Sequence, residues 1–199
     1  MEIPVFIDSC AWNELFKRSV KLEEELPETA FSLHLTREVA IEIGAMRTKP
    51  EKQELLAYVD RSISNSGIRT RGTFGFHTSE PDGTPSKAQV YVGFNQGNFQ
   101  SKHDRGWYAR DEVKKLTLHK GKREKTGLGK NQTDASLAVR SFHSVILTAE
   151  APNKSGPLRL AHSEGGRIIY FSEIDQSGLS LGEYIKRAWT DSMPTTAQP

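Results

Sequence analysis

The sequence predicts an α/β domain in which a largely parallel sheet is covered by helices, with a β-rich segment inserted between its two halves. Short apolar runs that suit buried strands alternate with stretches whose apolar residues recur at helical spacing, and short connections join them. Over 64–130 this alternation gives way to aromatic runs separated by Gly, Pro and polar residues, which is typical of hairpins. We therefore expect a single domain over 1–190 that contains the 64–130 insertion, followed by a disordered tail at 191–199.

The individual elements follow from local patterns. Ile3–Ile7 is β-branched or aromatic at most positions and predicts a buried strand, while Val39, Ile43 and Met46 recur at helical spacing after Thr36, which predicts a capped helix. The first half is then expected to contain strands at 3–7 and 31–35 and helices at 11–18, 37–46 and 50–63. The second half is expected to contain helices at 133–143, 156–163 and 181–189 and strands at 144–148 and 167–171.

Composition limits the classes of protein to which the chain can belong. It has 199 residues, of which 36% are hydrophobic and 26% charged, and no apolar run approaches the ~20 residues that span a bilayer. Its single cysteine excludes an intramolecular disulfide, and we expect a cytoplasmic protein without membrane association. The net charge of +2 is divided unevenly, since 1–60 is acidic and 101–130 is basic. That division suits a protein that holds cations in one place and a polyanion in another.

Four carboxylates lie where an apolar residue would suit a buried strand or helix better. Asp8 closes the first strand, and Glu150 ends the strand-like run "SVILTAE". Glu42 borders the apolar stripe of its helix, and Asp134 lies in the first turn of the helix that follows the insertion. Because ligands bind at the carboxyl ends of parallel strands, we expect the four carboxylates to converge at one edge of the sheet.

A divalent cation is the natural partner of such a set, because clustered and buried carboxylates raise one another's pKa. Mg²⁺ and Mn²⁺ prefer oxygen ligands, and two such ions support phosphodiester hydrolysis. Each acid also has a local explanation: Asp8 as a helix N-cap, Glu42 with its carboxylate in solvent, Asp134 as a favourable charge at a helix start, and Glu150 as a loop residue. The joint placement on four elements favours the metal site.

The same residues carry a resemblance to the PIN domain, a small α/β ribonuclease fold shared by VapC-type toxins and several RNA-processing nucleases. In order, "VFIDSCAW", "VAIEI", "TDASLAVRSF" and "ILTAE" resemble the four acid-bearing motifs of that family. Order and spacing match over 3–46 and 130–171. The chain departs from the family in having Glu150 where Asp is usual, and in its longer 64–130 segment.

The resemblance implies a three-layer fold and a metal-dependent endoribonuclease that leaves a 5′-phosphate and a 3′-hydroxyl. Asp8, Glu42, Asp134 and Glu150 would be the catalytic carboxylates and the ligands of Mg²⁺ or Mn²⁺. Asn131 and Thr148 would position these carboxylates or water. RNA would be the substrate, and an antitoxin protein and a second copy of the chain are the partners implied. Two alternatives stay open, a PIN-fold module that binds RNA or protein without cutting and a related nuclease that acts on DNA.

The basic segment supplies the residues expected to contact phosphates. They are Arg105, Arg110, Lys114, Lys115, Lys122 and Arg123. Interleaved aromatic residues fit base stacking, although the inner face of a packed hairpin explains them more simply. The six histidines lack metal-ligand spacing, so the sequence predicts no zinc site.

Overall fold

The computed structural model describes residues 2–74, 91–92, 97–117 and 126–191. In chain order the strands are β1 (Ile3–Ile7), β2 (Phe31–Thr36), β3 (Arg69–Phe74), β4 (Tyr91–Val92), β5 (Gly97–Asn98), β6 (Val145–Thr148) and β7 (Ile168–Tyr170). Five of them form a central, all-parallel sheet in the order β3-β2-β1-β6-β7. The two-residue strands β4 and β5 pair, also in parallel, with the end of β3.

Helices flank this sheet and make a three-layer structure, which confirms the predicted fold class. They are α1 (Ala11–Lys17), α2 (Leu22–Glu25), α3 (Arg37–Met46), α4 (Gln53–Asn65), α5 (Lys102–Ala109), α6 (Asp111–Thr117), α7 (Gln132–Arg140), α8 (Pro157–Ser163), α9 (Phe171–Ser177) and α10 (Leu181–Asp191). A single 3₁₀ turn, Pro50–Lys52, leads into α4 because proline fixes the backbone angle that a helix start requires.

The two central strands explain why the sheet is buried on both faces. Every residue of β6 is buried, as are four of the five residues of β1. Val5 aligns with Leu33 on one neighbouring strand and with Val145 on the other, so apolar side chains continue across the sheet. Such near-continuous apolar strands are typical of parallel sheets covered by helices.

Side-chain contacts fix the helices to the sheet and to one another. The hydroxyl of Thr36 accepts a hydrogen bond from the Val39 amide (3.1 Å) and caps α3, as predicted. Trp12 of α1 meets Tyr58 of α4 edge to face, with ring centroids 6.3 Å apart. On α7, the Arg140 guanidinium lies 5.5 Å from the centre of the Phe6 ring, so α7 covers the face of β1 toward which Phe6 points.

The chain path creates a crevice at the carboxyl ends of β1 and β6. From β1 the chain adds β2 and then β3 on one side, and it returns later to add β6 and β7 on the other side. The strand order therefore reverses between β1 and β6. Ligands of open α/β sheets bind at such a reversal.

The 64–130 segment differs from its prediction. Thr73 pairs with Tyr91 in a parallel arrangement, so the predicted hairpin between these runs is wrong. Much of the segment is helical, as α5 and α6, and β3 belongs to the central sheet. Aromatic spacing alone could not reveal this, because Trp107 is a buried residue of helix α5 and does not belong to a strand. The sequence also missed α2 and α9, and the predicted tail beyond Asp191 lies outside the described residues.

Candidate metal centre

Asp8 lies at the carboxyl end of β1 with its carboxylate in the crevice between β1 and β6. Its side chain is buried, and its backbone amide donates to the carbonyl of Leu147 (3.0 Å). The Thr148 hydroxyl, at the end of β6, donates to Oδ2 of Asp8 (2.7 Å), and the Cys10 thiol donates to the same oxygen (2.9 Å). The N-cap of α1 is Cys10, so the carboxylate of Asp8 does not cap that helix.

Glu42 directs its carboxylate toward α7 and not toward solvent. Its Oε1 accepts a hydrogen bond from the Thr133 hydroxyl (2.5 Å). Burial raises the pKa of Glu42, and the negative charges of Asp8 and Glu38 add to this, whereas hydrogen bonds from Ser9 and Thr133 oppose it. The glutamate is therefore close enough to Asp8 for the two charges to repel one another.

Asp134 lies in the first turn of α7 and is the most strongly perturbed acid of the set. Its pKa is raised to about 7, first by burial and then by the negative charges of Glu150, Asp8 and Glu42, while Lys154 lowers it. Asp134 thus interacts electrostatically with each of the other three acids predicted from the sequence. A helix start alone would favour the ionised carboxylate, so the neighbouring acids and burial outweigh that effect.

Glu150 follows β6 by two residues, and its side chain is 15% exposed. Its backbone amide donates to the hydroxyl of Thr148 (3.2 Å), which joins the loop to the group that also holds Asp8. The carboxylate of Glu150 forms an ion pair with Lys154, four residues further along the same loop. Lys154 therefore neutralises part of the negative charge at this edge of the sheet.

The donor set fits a hard divalent cation. The four acids supply only carboxylate oxygens, and Mg²⁺ and Mn²⁺ prefer such ligands. Burial and mutual repulsion make the metal-free cluster unfavourable, and a bound cation would relieve both. The four carboxylates lie directly after β1, on α3, on α7 and in the loop after β6. Water and a phosphate oxygen would complete the coordination of an ion held by only some of them.

The two residues expected to support the carboxylates have different surroundings. Thr148 is fully buried and bonded to Asp8. Asn131 has a left-handed backbone (φ 57°) at the start of α7, and its side-chain amide donates to the carbonyl of Leu116 on α6 (2.9 Å). Asn131 therefore attaches α6 to α7 and is not bonded to the acids.

The predicted phosphate-binding residues are engaged to different degrees. Arg110 forms ion pairs with Glu164 and Glu112, so its charge is already compensated. Arg105 donates to the carbonyl of Gln100 (2.9 Å), Lys114 lies 3.8 Å from Asp111, and Lys115 is exposed on α6. Lys122 and Arg123 lie outside the described residues.

The aromatic residues of this segment that the structure describes serve mainly in packing. Trp107 is buried, and the hydroxyl of Tyr108 donates to the carbonyl of Ala135 on α7 (3.3 Å). Phe99 is the exception, because 73% of its side chain is exposed. Phe99 is therefore the strongly exposed aromatic ring among the described residues of this segment.

Sequence reasoning missed several side chains of the centre. Glu38 is buried one turn before Glu42 and accepts a hydrogen bond from Ser136 (2.9 Å). Its spacing of four residues from Glu42 was the available signal. Cys10 gave no such signal in the sequence. Burial and the negative charge of Asp8 raise the pKa of its thiol, so the thiol stays protonated and donates to the Asp8 carboxylate.

Among the described residues, no helix is both long and apolar enough to cross a bilayer. A scan of protein-family models, a search of curated proteins and a search of solved structures each give no match to this chain. Its function is therefore inferred from the chemistry of the site.

Proposed function

We propose that this chain is a metal-dependent endoribonuclease of the PIN type that hydrolyses phosphodiester bonds of RNA. One observation carries the proposal: burial, together with the negative charges of the other three predicted acids, Glu150, Asp8 and Glu42, raises the pKa of Asp134 to about 7. Perturbed carboxyl groups cluster where a protein binds cations or moves protons. The location between β1 and β6, at the reversal of strand order, also supports a ligand site.

Asp8, Glu42 and Asp134 would hold Mg²⁺ or Mn²⁺, with Glu150 as a fourth ligand or acting through water. The bound ion supplies Lewis-acid activation of water and neutralises charge on the phosphate. Thr148 and Cys10 orient Asp8 through Oδ2, and within the described part of the chain Oδ1 keeps the 3.5 Å contact from Ser9.

Glu42 and Asp134 have distinct roles in the cluster. Thr133 donates to Oε1 of Glu42, and Ser9 also hydrogen-bonds this carboxylate, which lies within reach of the negative charge of Asp8. Asp134 retains a proton in part at neutral pH, and it would release that proton when a cation binds beside it.

Exposed cations near the centre support a polyanionic substrate. Lys114 and Lys115 lie on α6, whose last turn is bonded through Leu116 to Asn131 at the start of α7. That helix start carries Asp134, so a strand bound along α6 would lead toward the acids. A cytoplasmic location, an antitoxin partner and pairing of two copies belong to the same proposal and follow from the family resemblance.

A second candidate function is a PIN-fold module that binds RNA or protein without cutting it. One observation favours it: Lys154 forms an ion pair with Glu150, the fourth predicted acid, and so competes with a metal ion for that carboxylate. If that pair persists with metal present, the centre would hold an ion weakly.

Cleavage of a mixed RNA pool in Mg²⁺ or Mn²⁺ tests the proposal. Asp8→Asn and Asp134→Asn are each expected to lower cleavage at least about 100-fold, because loss of a direct ligand exceeds the 10–100-fold cost of losing its supporting partner. A chelator is expected to abolish cleavage by the unmodified protein. A parallel reaction with single-stranded DNA separates the ribonuclease from the related DNA-acting enzyme.

Asp191→Asn is the matched control, since its carboxylate on α10 is 70% exposed, pairs with Arg187 and lies outside both the acid cluster and α6. Cleavage that is equal in all four proteins would point to a contaminating nuclease and overturn the assignment. Absence of cleavage with RNA still bound would favour the second candidate.

A further inference from the structure

Two histidines and an aspartate meet at the start of α5, away from the acid cluster. Donor atoms of His103, Asp104 and His143 all lie within 4.8 Å of one another. The two imidazole rings meet edge to face, with centroids 5.6 Å apart and ring planes at 75° to one another. His103 and Asp104 belong to α5, whereas His143 lies in the turn between α7 and β6.

The aspartate is held in place by the cap of α5. Ser101 and Asp104 form a capping box, in which the Ser101 hydroxyl accepts from the Asp104 amide and Oδ2 of Asp104 accepts from the Ser101 amide (both 3.0 Å). The other oxygen, Oδ1, lies 3.9 Å from Nδ1 of His103. The cap therefore fixes the carboxylate while it leaves one oxygen facing the imidazole.

Contacts also restrict the two histidines. The ring of His103 packs edge to face on Phe142, with centroids 4.7 Å apart. The backbone amide of His143 donates to the carbonyl of Arg140 (3.0 Å) and closes the turn that presents its side chain. Both rings remain exposed on one side, so water can reach the space between them.

The surrounding charges permit a cation. Glu164 is close enough to His103 for a positive imidazole to lower the pKa of the glutamate, an effect that is secondary to its hydrogen bond with Arg110. Arg140 lines the same cavity of about 190 Å³ as Asp104 and His143, but its guanidinium donates to Ser136 and lies over Phe6.

We propose that His103, Asp104 and His143 form a Zn²⁺ site with three protein ligands and solvent in the remaining position. Imidazole nitrogens with one carboxylate oxygen suit Zn²⁺ and not Mg²⁺ or Mn²⁺. Zinc–nitrogen bonds of ~2.0–2.1 Å place tetrahedral ligand atoms about 3.3 Å apart. The present donor atoms, which lie within 4.8 Å of one another, therefore need to converge by up to about 1.5 Å, which the two exposed histidines achieve by rotation about χ1 and χ2.

Such a site would tie the inserted segment to the helix that carries Asp134. The Tyr108 hydroxyl already joins α5 to Ala135 of α7, and Zn²⁺ would add a second connection at the opposite end of both helices. Binding only to the folded protein stabilises it by mass action. The site requires no nuclease activity, so it stands independently of the proposed function.

Calorimetric titration of the full, tag-free, chelator-treated chain with Zn²⁺ alone, in excess Mg²⁺ to saturate the acids, tests the site. One equivalent is expected to bind, and His143→Asn or His103→Asn should weaken binding at least about tenfold. His162→Asn is the matched control, an exposed histidine of α8 that stacks on Tyr170 and lies outside the cluster.

A second readout guards against misfolded variants. Zn²⁺ is expected to raise the melting temperature of the unmodified protein and of His162→Asn, but not that of the double variant His103→Asn/His143→Asn, whose circular dichroism should stay unchanged. If the double variant binds Zn²⁺ as tightly as the unmodified chain, or if the unmodified chain binds none, the proposed site is wrong.

Discussion

The acid cluster and the histidine cluster differ in how the fold makes them. The acids follow buried strands or lie on packed helices around the sheet edge, and Asp8 is 3% exposed. The histidine cluster lies on the surface, where a helix start meets a turn from a distant part of the chain. Ionised carboxylates at the sheet edge therefore destabilise the fold without a cation, whereas charges at the surface are hydrated and have little effect on stability. A perturbed pKa marks the first region, and only spatial proximity marks the second.

The largest difference between the two regions is expected in the pH dependence of the free energy of unfolding when no metal is present. Asp134 has a folded-state pKa of about 7, above its ordinary value of 3.8, so the native state keeps a proton that the unfolded chain releases. Its contribution to stability is fully present below pH ~4 and is lost as pH rises to ~7, at up to about 1 kcal/mol per pH unit. Denaturant unfolding from pH 4 to 8 should therefore show stability falling across this window in the unmodified protein relative to Asp134→Asn.

Asp111→Asn, which alters an exposed carboxylate, is expected to follow the unmodified protein across the same window. Saturating Mg²⁺ should reduce the difference between the unmodified protein and Asp134→Asn, because the cation binds the ionised form. Parallel curves for the unmodified protein and Asp134→Asn without metal would mean that the acids do not repel one another as the geometry requires.

The two regions should also respond separately to loss of a supporting hydrogen bond. Thr148→Val removes the hydroxyl that donates to Asp8 and is expected to weaken Mg²⁺ binding about tenfold. Zn²⁺ binding should not change, since Thr148 contacts no residue of the histidine cluster. Titration of each ion into the same preparation measures both effects.

Thr190→Val serves as the comparison, because Thr190 is an exposed residue of α10 whose hydroxyl donates to the Lys186 carbonyl of the same helix. A change in Zn²⁺ affinity as large as the change in Mg²⁺ affinity would show that the two regions are coupled through the fold.

The smallest effect concerns the lysine that partly neutralises the acids. Lys154→Met frees Glu150 and is expected to raise Mg²⁺ affinity by up to about fivefold, which corresponds to the ~1 kcal/mol upper range of an exposed ion pair. Lys17→Met, which breaks a comparable pair with Glu14 on α1, should leave the affinity unchanged. Weaker Mg²⁺ binding in Lys154→Met would instead mean that the lysine positions Glu150 for the metal.

Strong local patterns explain which parts of the fold were predictable. β1 and β6 are continuous apolar runs, and Thr36 caps α3 through its own side chain, so neighbouring residues determine these elements. The inserted segment has no comparable pattern. Its helix α5 depends on the Ser101 cap and on burial of Trp107 against the rest of the domain, which alternation of aromatic residues cannot reveal.

The sequence by itself determined the α/β class and the four acids, because a carboxylate at the end of a buried strand or on a packed helix is costly and stands out in its local context. Only the tertiary structure decided which groups hold those acids. It brought the hydroxyl of Thr148 to the carboxylate of Asp8 and that of Thr133 to Glu42. These pairs are 140 and 91 residues apart in the sequence, which no local pattern spans. It also brought His143 to His103, because packing of α5 on α7 sets that contact and the spacing of the histidines does not.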